Sequence, residues 1–329
     1  VRFVPADERR TLDLLVVGDA NPDLVLRGDV VPRFGQAEQL LDAADLVLAG
    51  SAGIVAAGAA RLGLRTALVA HVGCDTFGHA VLDQLRERGV DVSAIITHDD
   101  VATGLSVILS GVEDRAILTH LGAIALLTAD DVPDALLART RHMHIASWFL
   151  IPELASGGAG LLARARVAGC TTSLDPNWDP AGGWLGVTGA LADVDVLLPN
   201  QAELLALAAR ALHSERPLHG DASAPGEMPL ERAAAVLRAH GPMIAMKAGA
   251  AGAVGWDDAG RHTAAGLPVT VVDTTGAGDS FDAAFLAGWL ARRPFAECLR
   301  WATVGGSLST GAAGGTGAQP TADQLRALI

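Results

Sequence analysis

Near its C-terminal end the chain runs Val271-Val272-Asp273-Thr274-Thr275-Gly276-Ala277-Gly278-Asp279-Ser280-Phe281. The apolar run Leu267 to Val272 reads as a buried strand, and Gly276 to Gly278 as a tight turn after it. Phe281, Phe285 and Trp289 then recur every four residues, which predicts a helix over 276–291 with one apolar face. Arg292 and Arg293 suit the negative end of its dipole, and Pro294 stops it. A Gly-rich turn at a helix N-terminus is an anion site, because backbone N–H groups and the positive dipole end converge there. Asp279 stands at that site. A carboxylate repels an anionic ligand, so its chemical use would be to take a proton from a group attacking a phosphate.

Working outward, short apolar runs and helical patterns alternate. Strands are expected at Leu12–Val17, Thr66–Val72, after Val90, and at 142–147, 170–175, 194–198, 243–247 and 253–256. Helices are expected at 51–60, 79–88, 129–139, 157–168, 201–212 and 230–240. The alternation predicts an α/β fold, a doubly wound, mostly parallel sheet with helices on both faces. Residues 24–50 alternate weakly, and 105–110 with 116–119 form a hairpin around Gly111 to Arg115; together they suggest a small β-sheet lid. The division is then 11–23, 51–97 and 123–329 for the core, and 24–50 with 98–122 for the lid. Residues 214–228 are expected to be an exposed loop, and Gly305 to Gly317 a ligand-side loop.

The chain has 329 residues, half of them apolar, so a large core is available. Its formal net charge of −13 argues against a nucleic-acid surface but not against a nucleotide held in a nest of N–H groups. No apolar run reaches the roughly 18–20 residues of a membrane span, and the first ten residues hold no secretory h-region. Cys74, Cys170 and Cys298 lack metal or redox spacing, and read as reduced, buried thiols of a cytoplasmic protein. Lys247 is the only lysine, within Lys247-Ala248-Gly249-Ala250-Ala251-Gly252. A compact ammonium is suited to phosphate. His142 and His144 share a strand face without a third ligand, so packing is the simpler reading than metal.

No Walker A loop and no dinucleotide fingerprint occurs anywhere. The string Asp273 to Leu286 instead resembles the C-terminal signature of the ribokinase-like (PfkB) carbohydrate kinases. Other segments resemble that family in order and spacing: Gly18 to Asp23, Ala49-Gly50-Ser51-Ala52-Gly53 with Ala59 to Gly63, Gly73 to Gly78, Asn200-x-x-Glu203 and Lys247-x-Gly249-x-x-Gly252. The likeness spans about residues 11–329. It implies an ATP-dependent transfer of the γ-phosphoryl group to a primary hydroxyl of a small sugar. Asp279 would be the base, with Gly276, Ala277 and Gly278 as the anion hole. As a base in a first helical turn, Asp279 is expected to be ionised at neutral pH. Asn200 and Glu203 would hold Mg2+ through water beside ATP, and their spacing is also that of a capping box. Lys247, Gly249 and Gly252 would lie along the nucleotide. Asp273 and Thr275, with the 310–317 loop, resemble a monovalent-cation (K+) site, and a homodimer through the lid is the implied assembly.

On the substrate side Asn21, Asp23, Gly50 and Ser51 remain as sugar contacts. Two asparagines common in the family are replaced by Ile54 and Ile124. Asp175-Pro176-Asn177-Trp178-Asp179 resembles a strand-end motif of sugar-acid kinases whose Arg has become Asp179. Like-charge repulsion there argues for a neutral substrate. Trp148 and Phe149 are either an apolar wall or core. Two alternatives stay open: a nucleoside kinase, to which Ile54 and Ile124 would offer an apolar surface, and a catalytically weak ligand-binding or regulatory member.

Overall fold

A computed structural model describes residues 10–35, 38–111, 115–213 and 228–329. The first half of the chain gives β1 (Leu12–Val17), β2 (Asn21–Arg27), β3 (Ala43–Ala49), α1 (Ser51–Arg61), β4 (Thr66–Val69), β5 (His71–Gly73) and α2 (Thr76–Glu87). Then come β6 (Ile96–His98), β7 (Leu105–Ser110), β8 (Arg115–His120), α3 (Asp134–Ala138), β9 (Thr140–Ile145) and α4 (Pro152–Val167). The second half gives β10 (Thr171–Leu174), α5 (Val187–Ala190), β11 (Val196–Leu197), α6 (Gln201–Leu212) and α7 (Leu230–Arg238). It ends with β12 (Met243–Lys247), β13 (Ala253–Asp257), β14 (Gly260–Ala264), α8 (Ala277–Leu290), α9 (Phe295–Ser309) and α10 (Ala322–Arg326).

The main sheet runs β14-β13-β12-β11-β10-β9-β1-β4. It is parallel from β4 to β12, and the β12-β13-β14 end is antiparallel. β1 shows why two helical layers are needed. Leu15 and Val17 enter one core with Leu154, Leu161 and Leu204, while Leu14 and Val16 enter the other with Val55, Phe281 and Phe285. Side chains alternate across a strand, so a strand apolar on both faces must be covered twice. Burying each such Leu or Phe contributes roughly 1.5–3 kcal/mol. β1 pairs with β4 on one side and β9 on the other, a reversal of strand order that opens a crevice at the carboxyl ends of the strands.

A second sheet, β3-β2-β7-β8, carries Asn21 and Asp23 on β2; β8 is exposed along its whole length. The expected small sheet is thus present, built of β2, β3, β7 and β8, and it begins at Asn21, inside the 11–23 stretch assigned to the core.

Several sequence expectations are corrected. Leu267 to Val272 is not a buried strand: Val271 and Val272 are 56% and 61% exposed. The β13–β14 hairpin already completes that edge, and the run is tied down by Val272 and Asp273 N–H donating to Thr310 O. Gly305 to Ser309 is helix, not loop. Its small residues let α9 lie against α8, where a Cβ on Gly305 would come 2.5 Å from Ala284 Cβ. The loop begins only at Thr310. Pro133 divides the expected 129–139 helix into a 3-10 turn and α3. Thr66–Val72 splits into β4 and β5, which join different sheets. Arg292 and Arg293 lie past the end of α8 rather than in its last turn. Cys170 and Cys298 are buried, but Cys74 is exposed. The expected loop at 214–228 lies, but for Met228, outside the described residues, as do 112–114 of the hairpin loop.

Candidate active site

The crevice collects the last residues of successive parallel strands. Asp19 follows β1, Ser147 follows β9, Asp175 follows β10, Asn200 follows β11, and Lys247 ends β12. α8 enters from the opposite side with Gly276 as its N-cap in the left-handed region (φ 68°) and Asp279 in its first turn. The Ser51 hydroxyl, at the start of α1, donates to Asp279 Oδ1. Asn177 Nδ2 donates to Ser51 Oγ (3.2 Å) and its Oδ1 accepts from Ser147 N (2.7 Å). Asp19 Oδ1 takes the Ser147 hydroxyl (2.8 Å) and Ala52 N (3.1 Å). One polar chain therefore joins β1, α1, the loop after β10 and α8. Asn177 has a positive φ of 55°, which Asn tolerates better than most residues.

Burial, the nearby Asp175 and Asp19 push the Asp279 carboxyl up to about 7, against Lys247 and the Ser51 hydrogen bond, which pull it down. The expectation of a plainly ionised carboxylate is corrected by these neighbours. A group poised near neutrality is suited to accept a proton.

On β2 Asn21 Nδ2 donates to Asp23 Oδ1 (3.1 Å), and both residues are nearly buried. Asp23 is also pushed up to about 7, by burial and then by Asp19, with Asn21 and Arg115 opposing. Gly50 (φ 77°) is required where it stands: a Cβ would lie 2.7 Å from Asp19 O. On the other flank, Asn200 and Glu203 form the expected capping box. Asn200 Oδ1 accepts from Glu203 N (2.9 Å), while Asn200 N and Nδ2 donate to the carboxylate at 2.8 and 2.7 Å. Asn200→Ala is accordingly expected to cost about 1 kcal/mol of stability from the lost cap alone, measured by urea unfolding.

Glu203 is 5% exposed and is raised to about 7 by burial first and then by Asp175. Gly249 (φ 57°) faces open space. Gly252 (φ 96°) packs so closely that a Cβ would meet Ala264 O at 2.1 Å. Asp273 uses both oxygens on backbone, accepting from Thr275 N and Gly314 N at 2.9 Å each, and Thr275 Oγ1 accepts from Arg115 Nη1 (2.8 Å). Ala277 N–H donates to Thr274 O (3.2 Å). Lys247 does not extend along the Gly249–Gly252 turn. Its Nζ is held by Asp175 Oδ2 (2.5 Å) and Asp282 Oδ2 (2.9 Å).

The family profile described as pfkB family carbohydrate kinase matches residues 11–322. The chain belongs to that family. The ATP-dependent ribose-1-phosphate kinase of Halopiger xanaduensis is 29% identical over 320 residues, covering 96% of this chain and 97% of that protein. The 2-dehydro-3-deoxygluconokinase of Bacillus subtilis is 28% identical over 301 residues, 86% of each chain. Among solved structures, a ribokinase II from Escherichia coli crystallised with ATP and Mg2+ superposes with a TM-score of 0.82 at 21% identity, over 97% of this chain and 99% of that one. The pfkB-family protein described here is thus a phosphotransferase with an alcohol group as acceptor.

Some side chains of this carbohydrate kinase take other places than the sequence suggested. Asp179 does not face the cleft: Ala181 N and Trp184 N donate to its carboxylate (2.9 and 2.6 Å), and it is nearly buried. The charge argument built on it falls away. Ile54 is buried, its Cδ1 3.0 Å from where a Cβ on Gly276 would be, and Ile124 lies in the core beneath Gly104. Trp148 is core, 1% exposed. His142 and His144 bond to Thr171 and Ser173 hydroxyls at 2.7–2.8 Å. Asp19, Ser147, Asn177 and Arg115 line the site without having been singled out. Asp19 and Asn177 stood inside the quoted motifs, whereas Ser147 and Arg115 carry no local signal.

Proposed function

We propose that this pfkB-family enzyme transfers the γ-phosphoryl group of ATP to a primary hydroxyl of a small neutral sugar, with Mg2+ and with Asp279 as proton acceptor. The observation that carries the reading is the Ser51–Asp279 contact, with Asn177 donating to the same Ser51 hydroxyl; Asn21 and Asp23, paired with each other on β2, would add sugar contacts. A sugar hydroxyl in the place of the Ser51 hydroxyl would lie within reach of the same oxygen. The N–H groups of Gly276 and Gly278, and that of Ala277 on leaving Thr274 O, would receive the moving phosphoryl group, whose loose transition state needs positioning and charge neutralisation more than covalent help. Asp19, Asp23 and Asp279 make the acceptor side acidic, which supports an uncharged substrate.

The donor set fits a hydrated divalent cation. Both Glu203 oxygens are occupied by Asn200 donors, which favours a hold through water, and burial with Asp175 nearby outweighs the pull of Lys247 on its carboxyl. When bound, Mg2+ would neutralise phosphate charge. Asn200 and Glu203 orient its water shell, and Gly249 and Gly252 border the nucleotide. The ATP dependence in the name of the Halopiger relative supports the donor. K+ at Asp273 and Thr275 would stiffen the loop that Asp273 already holds through Gly314 N and Thr310 O. The small sheet would act as a lid that excludes water. Leu46 and Leu118, in register on one face of this sheet and 42% and 59% exposed, support a homodimer through that face. A cytoplasmic site suits an ATP-consuming enzyme.

One observation favours a second reading. Arg115 places a cation between Asp23 and Thr275, where it lowers Asp23 and Asp273, so an anionic sugar is the competing class. A panel of ribose, fructose, ribose 1-phosphate, 2-dehydro-3-deoxygluconate and adenosine, read by ADP release with and without EDTA, decides. The expected result is the highest kcat/KM for a neutral sugar, abolished by EDTA. An anionic sugar or adenosine leading by tenfold or more would replace the neutral-sugar reading. ATP binding without turnover of any acceptor would leave a ligand-binding member.

A further inference from the structure

Lys247, the chain's only lysine, is largely buried: its side chain is 13% exposed, against 2% for Asp175 and 0% for Asp282. Its methylene chain passes under the anion-binding turn, so that a Cβ on Gly278 would lie 3.4 Å from Lys247 Cδ and 3.6 Å from Nζ. Carboxylate oxygens of Asp175, Asp279 and Asp282 lie within 4.8 Å of one another around it. Three carboxylates cannot stay ionised so close together without a cation or a proton among them. Both are present. Lys247 supplies the cation, and burial with Asp175 beside it pushes the Asp282 carboxyl well above its ordinary value, toward the protonated form, while Lys247 keeps Asp175 low.

We propose that Lys247 is a positioning residue for phosphoryl transfer: as buried counter-ion of Asp175 and Asp282 it fixes the first turns of α8 against the sheet and keeps Asp279 able to accept a proton. It acts through Asp279 and not on the nucleotide. The proposal rests on the reading of Asp279 as proton acceptor. The groups that face Asp279 are Asp19 after β1, Ser51 on α1, Asp175 after β10, Glu203 on α6, Lys247 at the end of β12, and Asp282 one turn along α8. Among these charged groups only Lys247 favours the ionised form.

The test needs no substrate at first. In the free protein the Asp279 carboxyl sits near 7, above the ordinary 3.8 of an unfolded chain. A raised carboxyl makes the folded state lose stability as pH rises between those values, with the full cost present above the upper one. The Tm difference between wild type and Asp279→Asn therefore opens from about pH 4 to about pH 7 and is level beyond. The same pairing is measured in the Lys247→Met and Asp175→Asn backgrounds. With Lys247→Met the gap is expected to keep opening above pH 7, and with Asp175→Asn it should level off below it.

With the sugar that the panel identifies, the pH limb of kcat/KM should move in the same two directions. For Lys247→Met the shift is about one pH unit or more, a loss of about tenfold at pH 7 that is recovered at pH 9. A gap unchanged by either substitution, or an activity loss equal at every pH, would overturn the proposal. Should Lys247→Met fail to fold, the Asp175→Asn pair tests the sign alone. A wild type that turns over no sugar removes the base reading, while the Tm gaps still decide whether Lys247 governs the carboxyl.

Discussion

Asp279→Asn is expected to lower kcat by roughly 10²-fold or more while ATP binding, followed by calorimetry, stays within a few-fold of wild type. The amide keeps the size of the carboxyl and can still receive the Ser51 hydroxyl, so the first turn of α8 has no reason to move. What would disappear is the proposed acceptor of the proton as the substrate oxygen attacks. The same carboxyl sets the pH dependence. It is held near 7 by burial, Asp175 and Asp19, so kcat/KM should rise with pH through about 7 and then level. Stability runs the other way, because the raised carboxyl is a cost of folding at every pH above its upper value. Asp279→Asn should consequently melt higher than wild type at pH 8 and equal to it near pH 4. Activity bought at the expense of stability is usual for such groups. A variant that turned over at the wild-type rate would end the base assignment, whatever its Tm.

What could be read from the sequence is what local pattern encodes. The Gly-rich turn, its helix and Asp279 are contiguous, and so are the Asn200–Glu203 capping box and the Gly18–Asp23 strand end. The structure brings all three to the carboxyl edge of one sheet. Lys247 shows where local pattern stops. Its solitary status drew notice, but its partners are 72 and 35 residues away, and only the strand order that sets β10, β12 and α8 together makes it an ion pair. Asp179 failed for the complementary reason. Its spacing suggested a substrate contact, whereas the turn after it offered Ala181 and Trp184 N–H groups that captured the charge locally. Leu267 to Val272 had the apolarity of a strand but spends its last N–H group on Thr310 O after α9 instead of on a strand, and Gly305 to Gly306 had a linker's composition in the service of helix contact. Hydropathy shows what can be buried. Partners decide what is.

Gly276→Ala should be nearly as damaging as loss of Asp279, and for a backbone reason. Gly276 sits at φ 68°, and a Cβ there would come 2.6 Å from Gly315 Cα, 3.2 Å from Gly315 O and 3.0 Å from Ile54 Cδ1. The left-handed conformation alone costs a non-glycine residue roughly 1–2 kcal/mol, and backbone cannot rotate out of the way as a side chain can. Relief requires either pushing the loop after α9 outward or turning residue 276, and either movement re-aims the N–H groups meant for the phosphoryl group. Misplacement by about 1 Å can cost about 10²-fold in rate, and that is the loss expected in kcat, together with a lower Tm. Gly278→Ala is the matched comparison. It is helical, and its Cβ would make ordinary contact with Lys247 Cδ at 3.4 Å. It should retain at least about tenfold more activity than Gly276→Ala and melt higher, since Ala suits a helix interior better than Gly. Steady-state kinetics and thermal unfolding of the pair give the ordering. Equal losses in the two variants would mean that the turn tolerates displacement and that its N–H groups do not hold the transferred group.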